Sequence, residues 1–283
     1  MTYLVTGANG MLATDLRQVL ADRPVTALGR SDLDVTDPDA VEAAVAGHTV
    51  VINCAAYTRV DDAETDEETA FAVNAVGAGN LARAAAAHGA NLVQLSTDYV
   101  FDGTATTPYA EDAPRHPVSA YGRTKAEGER LALEFNPSGT FVVRTAWLYG
   151  AHGPNFAKTM IRLAGQNETV SVVEDQLGQP TWTMDVARQI VLMLDHGLAP
   201  GIYHATSSGQ ASWYEFAQQI FSVAGLDPAR VRPTSSSQYV RPAPRPAYSV
   251  LGHARWQPSG LAPIRDWRSA LADAAEHRIL EHA

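Results

Sequence analysis

The chain has 283 residues and a formal net charge of −10, from 21 basic and 31 acidic residues, so it lacks the basic face that non-specific nucleic-acid binding needs. Hydrophobic residues make up 46% and charged residues 18%, enough to bury a substantial core and to exclude global disorder. The single cysteine, Cys54, excludes an internal disulfide and a cysteine-rich zinc site, and no apolar run approaches the roughly 20 residues that span a bilayer.

The opening "MTYLVTGANGMLATDLRQVLA" reads as a strand from Tyr3, a Gly-containing turn and an amphipathic helix with Leu12, Leu16, Val19 and Leu20 on one side. A strand at Tyr3 leaves no room for a signal peptide, and with one cysteine this sets the expectation of a cytoplasmic protein with no membrane partner. "RPVTALGR" reads as a second strand and "HTVVINCAA" as a third, apolar enough to be covered on both faces. A helical region, "DEETAFAVNAVGAGNLARAAAAHGA", is followed by the strand "NLVQLSTDYVF", a helix after Ser119 and the strand "TFVVRTAWLYG". This alternation predicts an α/β fold with a doubly wound parallel sheet of Rossmann type. After Gly150 the alternation weakens, although "NFAKTMIRLAGQ", "MDVARQIVLMLDHG" and "SWYEFAQQIFSVAGL" have helical patterns and "TSSSQYVRPAPRPAYSV" reads as an ordered loop. The expected organisation is a nucleotide-binding domain over 1–150, with the helix near 183–196 returning to it, and a smaller substrate-binding lobe over 151–283 at the carboxyl edge of the sheet.

Four stretches carry chemistry. "VTGANGMLA" has the pattern G-x-x-G-x-x-A at the first strand–helix turn. Gly7 permits a tight turn, Gly10 lets a pyrophosphate approach the backbone, Ala13 allows close helix packing, and Met11 and Leu12 open a helix whose free N–H groups suit an anion. In "ALGRSDLDV", Arg30 stands where an NAD site usually has an acid, which favours the 2′-phosphate of NADPH; Asp32 close behind leaves NADH open, and Asp34 and Val35 are candidates to border the adenine. In "LSTDYVFDG", Ser96 and Thr97 reach the carboxyl edge, where a hydroxyl can serve a substrate carbonyl or merely form a turn. In "SAYGRTKAEGE", Tyr121 and Lys125 are helix neighbours at i and i+4. A cation beside a phenol lowers a pKa that is ordinarily near 10. The run "DDAETDEETA" reads as a solvated helix start with acids near its positive end rather than a metal site, and no histidine pair has zinc-motif spacing.

Nucleotide turn, strand-end hydroxyl and Tyr-x-x-x-Lys, in this order, resemble the extended short-chain dehydrogenase/reductase superfamily. More closely, "STDYVFDG", "AYGRTKAEGE", "RTAWLYG", "NFAKTM", "DQLGQPT" and "RPAYSVL" resemble the dTDP-4-dehydrorhamnose reductase family over nearly the whole chain. The resemblance implies NADPH- or NADH-dependent reduction of the C4 ketone of dTDP-6-deoxy-L-lyxo-4-hexulose. It implies Tyr121 as the general acid, Lys125 as the residue that binds the nicotinamide ribose and depresses the tyrosine pKa, and Thr97 as a hydrogen-bond partner of the carbonyl. It also implies that Thr97, Asp98 and Trp147 touch the sugar, that Ala55, Ala56 and Tyr57 border the cofactor, and that Thr58 and Val60 lie nearer the substrate. A core role for Trp147 and a core or capping role for Asn74 stay open, and Arg241 and Arg245 are either diphosphate ligands or surface charges. Some family members bridge a dimer with Mg²⁺ held by glutamates; here Asp15 and Met184, with Asp185 beside it, stand at those positions, so no metal site is carried over. Monomer and homodimer both remain open. So do two other functions: a sister dTDP-4-keto-6-deoxyhexose reductase of a metabolite glycosylation pathway, and a non-catalytic NADP-binding subunit resembling the regulatory subunit of methionine adenosyltransferase.

Overall fold

Six short strands pair in parallel into one central sheet in the computed structural model, which describes residues 1–277. Residues 278–283, the end of the expected C-terminal lobe, lie outside the described residues. In chain order the first half comprises β1 (Tyr3–Thr6), α1 (Met11–Val19), β2 (Val25–Leu28), α2 (Pro38–Val45), β3 (Val50–Asn53), α3 (Glu67–Phe71), a π-helical turn (Ala72–Val76), α4 (Gly77–Ala87), β4 (Asn91–Thr97), α5 (Ala120–Phe135) and β5 (Thr140–Thr145). The second half comprises β6 (Leu148–Tyr149), α6 (Phe156–Gln166), β7 (Val170–Val173), β8 (Leu177–Gly178), β9 (Thr181–Trp182), α7 (Thr183–Asp195), β10 (Gly201–His204), β11 (Ala211–Ser212), α8 (Trp213–Val223), β12 (Val231–Thr234) and α9 (Trp267–Glu276).

The sheet order is β10-β5-β4-β3-β1-β2. Alternate residues of each inner strand enter different cores. Tyr3, Val5, Val50 and Ile52 pack with Leu12 and Leu16 of α1 and Val186 and Ile190 of α7. Leu4 and Val51 pack on the other face with Val41 of α2, Leu81 of α4 and Ala132 of α5. Helices on both faces explain why these strands read as continuous apolar runs. This is the doubly wound sheet expected from the alternation. The sequence pattern ends the sheet with the strand "TFVVRTAWLYG"; the structure closes that strand at Thr145 and adds β10, whose four residues "GIYH" are too short and too mixed to announce a strand.

A second core lies beyond β5, with Tyr149, Met160, Trp182, Phe216, Phe221 and Trp267 among its buried members. Three two-stranded pairs frame it: β6 with β9, β7 with β12, and β8 with β11. Chain direction reverses its order in the main sheet between β1 and β3, so the loops after these strands face one crevice at the carboxyl edge, where open α/β sheets bind ligands.

Candidate active site

The crevice begins with backbone geometry. Gly7 has φ +63°, and a Cβ there would lie 2.7 Å from Ala55 N, so the loops after β1 and β3 meet with no space for a side chain. Asn53 ties the same two strand ends and β4 together: its Oδ1 accepts from Thr6 Oγ1 at 2.6 Å and its Nδ2 donates to Gln94 Oε1 at 2.8 Å. Gly10 precedes α1 without a side-chain cap, so the first N–H groups of the helix, at Met11, Leu12 and Ala13, have no intrahelical acceptor. A bare glycine turn against an uncapped helix start fits the diphosphate of a dinucleotide.

At the end of β2 the acid and the base separate. Asp32 turns back to accept from Gly29 N at 2.8 Å, while Arg30 is exposed and makes no ion pair among the described residues. Asp34 accepts from the Thr36 N–H and hydroxyl at 2.9 and 2.8 Å, and these bonds, with Arg30 nearby, hold its carboxyl below its usual range. Val35 is buried, and its carbonyl accepts from Asn80. Beyond β3, Ala55 and Ala56 are half-buried, Tyr57 is buried, Thr58 is exposed and Val60 is half-buried. Asn74 resolves its open role as a clamp: its Oδ1 accepts from Tyr57 N at 2.8 Å, and its Nδ2 donates to Tyr57 O at 3.1 Å and to Thr124 Oγ1 of α5 at 3.0 Å. Asn74 sits in the π-helical turn, and that turn is pressed on α5 at Gly128, where any Cβ would collide with the Asn74 carbonyl oxygen.

Ser119 caps α5 by accepting from Gly122 N at 3.1 Å, and the first turns of the helix carry Tyr121 and Lys125 toward the end of β4. Lys125 is 4% exposed and donates to Leu95 O at 2.7 Å. Burial pushes its amine down to about 8, against the opposing pull of Glu129 and Cys54. Burial raises the Tyr121 phenol above its ordinary value, Asp98 adds to the rise, and hydrogen bonding to the Thr97 hydroxyl opposes it. Against the expected depression of this pKa, Lys125 is not among the groups that shift this phenol, and desolvation of the phenolate outweighs the opposing Thr97 hydrogen bond. Thr97 Oγ1 donates to Asp98 Oδ1 at 3.0 Å. Asp98 Oδ2 is buried without a partner, and burial lifts this carboxyl up to about 6 despite the nearby Ser249 and Thr97 hydroxyls. Tyr99 meets Tyr121 edge to face at 5.6 Å.

The acidic run does start a helix, α3, with Glu67 and Glu68 in its first turn and Asp62 and Glu68 exposed, and three of its acids also bind neighbouring segments. Glu64 Oε1 accepts from Ala120 N at 2.8 Å, next to Tyr121, and Glu67 binds Arg123 of α5 through both oxygens. Asp61 takes Arg245 at 2.9 Å and Arg241 at 3.6 Å, so both arginines are tied to the loop after β3. Asp61, Glu64 and Glu67 fasten distant segments, which a local composition cannot reveal because the partners lie 56 to 184 residues away.

Trp147 lies two residues past Thr145, which pairs in register with Thr97. Register partners in parallel strands point to the same face. Trp147 is half-buried, has φ +48° and stacks on Trp213 at 3.5 Å, so it borders the second core without being enclosed by it. Asp15 is buried against Thr183 Oγ1 at 2.5 Å, and Asp185 pairs with Arg265 at 2.9 Å. Among the described residues no group of three or more His, Cys, Asp or Glu side chains could hold a metal ion, and no helix is long and apolar enough to cross a membrane.

Comparison with known proteins places this geometry. The model of the RmlD substrate binding domain family matches residues 1–279. The chain belongs to this family. It is 54% identical over 279 residues to a probable dTDP-4,6-dihydroxy-2-methyloxan-3-one 4-ketoreductase of Streptomyces antibioticus, covering 97% of this chain and 94% of that one. It is 52% identical over 280 residues to a dTDP-4-dehydrorhamnose reductase of Streptomyces griseus, covering 96% and 92%. The crystal structure of dTDP-4-dehydrorhamnose reductase from Bacillus anthracis in complex with NADP superposes with a TM-score of 0.94 at 38% identity, over 98% of this chain and 100% of that one.

Within this RmlD-family chain, three residues near the site escaped sequence reasoning. Thr145 shares the sheet face of Thr97 and has a buried hydroxyl without a partner. Its signal was available: it is the strand-end threonine of "VVRTAW". Glu64 and Trp213 had none, because their contacts are tertiary.

Proposed function

We propose that this protein uses a reduced nicotinamide dinucleotide to reduce the C4 ketone of a dTDP-6-deoxy-4-hexulose, with dTDP-6-deoxy-L-lyxo-4-hexulose as substrate and dTDP-L-rhamnose as product. The observation that carries the reading is the gathering of Thr97, Tyr121 and Lys125 at the carboxyl end of β4, with an uncapped glycine turn after β1. Gly7, Gly10, Met11 and Leu12 would hold the dinucleotide, with Ala55, Ala56 and Tyr57 alongside and Val35 and Asp34 toward the adenine, and the bound group would supply hydride for the ketone carbon. Exposed Arg30, free of the acids near it, supports NADPH over NADH.

The chain's own residues handle the proton. A phenol whose pKa is raised by burial and by Asp98 keeps its proton until charge develops on the carbonyl oxygen, which suits Tyr121 as general acid. Thr97, within reach of the phenol, orients that hydroxyl, and would support the oxyanion by turning its own O–H from Asp98 to the carbonyl oxygen. Lys125, a buried amine with one carbonyl partner, has donors left for ribose hydroxyls. Thr58, Val60, Asp98 and Trp147 border the sugar. Asn74 and Glu64 hold the frame by fixing Tyr57 and the start of α5.

A sister ketoreductase reading has its own support, since the 54% relative from Streptomyces antibioticus bears a different sugar ketone in its name. The two share the acid–base geometry and differ in product stereochemistry. The deciding experiment is NADPH oxidation with enzymatically prepared dTDP-6-deoxy-L-lyxo-4-hexulose and NMR of the product. The L-rhamno product is expected; another epimer assigns a sister reaction on this substrate, and no oxidation despite NADPH binding refutes this substrate and favours a different keto sugar or the non-catalytic subunit. Tyr121→Phe should cut turnover on the order of 10²-fold or more with NADPH affinity intact; near-normal turnover would remove Tyr121 as the acid.

A further inference from the structure

Trp147 is the one non-glycine residue with positive φ among the described residues, at +48°. For a bulky side chain this left-handed conformation is an outlier that persists only when its surroundings over-determine it. Those surroundings are specific. The indole lies parallel to that of Trp213, with centroids 3.5 Å apart and planes within 6°. Gly178 lies against the same ring, where an added Cβ would come within 2.6 Å of Trp147 Cζ2 and Nε1. The Trp147 carbonyl accepts from Thr181 N at 3.2 Å. Phe156 closes on Trp213 at 4.5 Å.

Gly178 and Trp213 are themselves built to meet there. Gly178 of β8 pairs with Ala211 of β11 in an antiparallel ladder. Ser212, the next residue, forms a capping box with Glu215 that starts α8 at Trp213. Ladder and capping box therefore deliver a bare Cα and an indole to one ring. Both lie far along the chain from β5, while Trp147 leaves the sheet edge two residues after the register partner of Thr97.

We propose that Trp213 and Gly178 are positioning residues for substrate: together they hold Trp147 in its left-handed conformation and thereby set the wall that the sugar meets. This rests on the reading above that Trp147 faces the sugar. The stacked pair returns free energy that the strained backbone consumes, so loss of Trp213 lets residue 147 relax and the wall move.

The test uses the full chain and four variants: Trp213→Ala, Trp213→Phe, Gly178→Ala and Trp147→Ala. The readouts are KM for the keto sugar nucleotide, kcat, NADPH affinity, and the exciton couplet that two stacked indoles give in ultraviolet circular dichroism. Trp213→Ala should abolish the couplet and raise KM on the order of tenfold, with NADPH affinity unchanged. Trp213→Phe should restore most of the KM without the couplet, because a smaller ring still supports the indole. Gly178→Ala should raise KM and alter the couplet from the other contact, independently of whether Trp213→Ala folds. Loss of the couplet in Trp213→Ala or Gly178→Ala with KM unchanged overturns the proposal, provided Trp147→Ala raises KM. If Trp147→Ala leaves KM unchanged, the assignment of Trp147 to the sugar fails, and the positioning role fails with it.

Discussion

Replacing Lys125 by methionine should abolish turnover while leaving the protein as stable as before, or more so. The ammonium is buried, and its pKa is displaced from 10.5 to about 8. At 1.36 kcal/mol per pKa unit, holding the charge in the folded state at pH 7.5 costs about 3 kcal/mol. Methionine removes that cost and keeps the volume, but it leaves the Leu95 carbonyl unpaired, worth about 1–3 kcal/mol. The net change is therefore between zero and a gain of about 2 kcal/mol at pH 7.5. The pH dependence is the sharper test. Because the folded pKa is lowered, the folded protein sheds this proton near pH 8 while the unfolded chain keeps it to 10.5, so the wild type gains stability as pH rises through that window. Between pH 7.5 and 9.5 the gain from this group is about 2 kcal/mol, and Lys125→Met should lack it. Urea unfolding of both proteins at the two pH values, with NADPH oxidation assayed in parallel, measures the difference. Equal pH slopes would refute the buried, partly desolvated amine.

Arg30→Ala should weaken NADPH about ten- to hundredfold and NADH little, read by fluorescence titration; equal losses would remove the 2′-phosphate argument. Acid should destabilise the fold before the exposed carboxylates titrate. Burial depresses His204 to about 3 and His253 to about 4, so the unfolded chain takes up protons from pH 6.5 downward while the folded chain does not. Asp98, lifted to about 6, binds its proton in the folded state and offsets part of this loss. The net loss between pH 7 and 4.5 is about 3 kcal/mol, seen as a falling urea midpoint; a flat midpoint would refute neutral burial of the histidines. Gly128→Ala should lower stability by about 1–3 kcal/mol despite alanine's better helix propensity, because its methyl collides with the Asn74 carbonyl. An unchanged thermal midpoint would show that the π-helical turn yields without loss.

Much of the site was legible in the sequence because its parts are local. The glycine turn, the strand-end Ser96-Thr97 and the i, i+4 pair Tyr121 and Lys125 each depend on a few consecutive residues, and strand and helix periodicity places them at one sheet edge. The apolar runs of β1 and β3 likewise announce a sheet covered on both faces. What only the tertiary structure decided is the environment of those groups. Whether Tyr121 is acidified or made more basic depends on how much water the surrounding chain excludes and on where Asp98 and Lys125 point, not on the spacing of the pair. Whether Asp61, Glu64 and Glu67 are solvated or bound depends on arginines and a backbone amide far along the chain. Trp147 takes its conformation from Trp213 and Gly178, brought to it by a two-residue ladder that no local pattern encodes. Covalent neighbours set which groups are present and on which face they sit. Desolvation and pairing, which set pKa and orientation, act through space, and they are fixed only when the chain has folded.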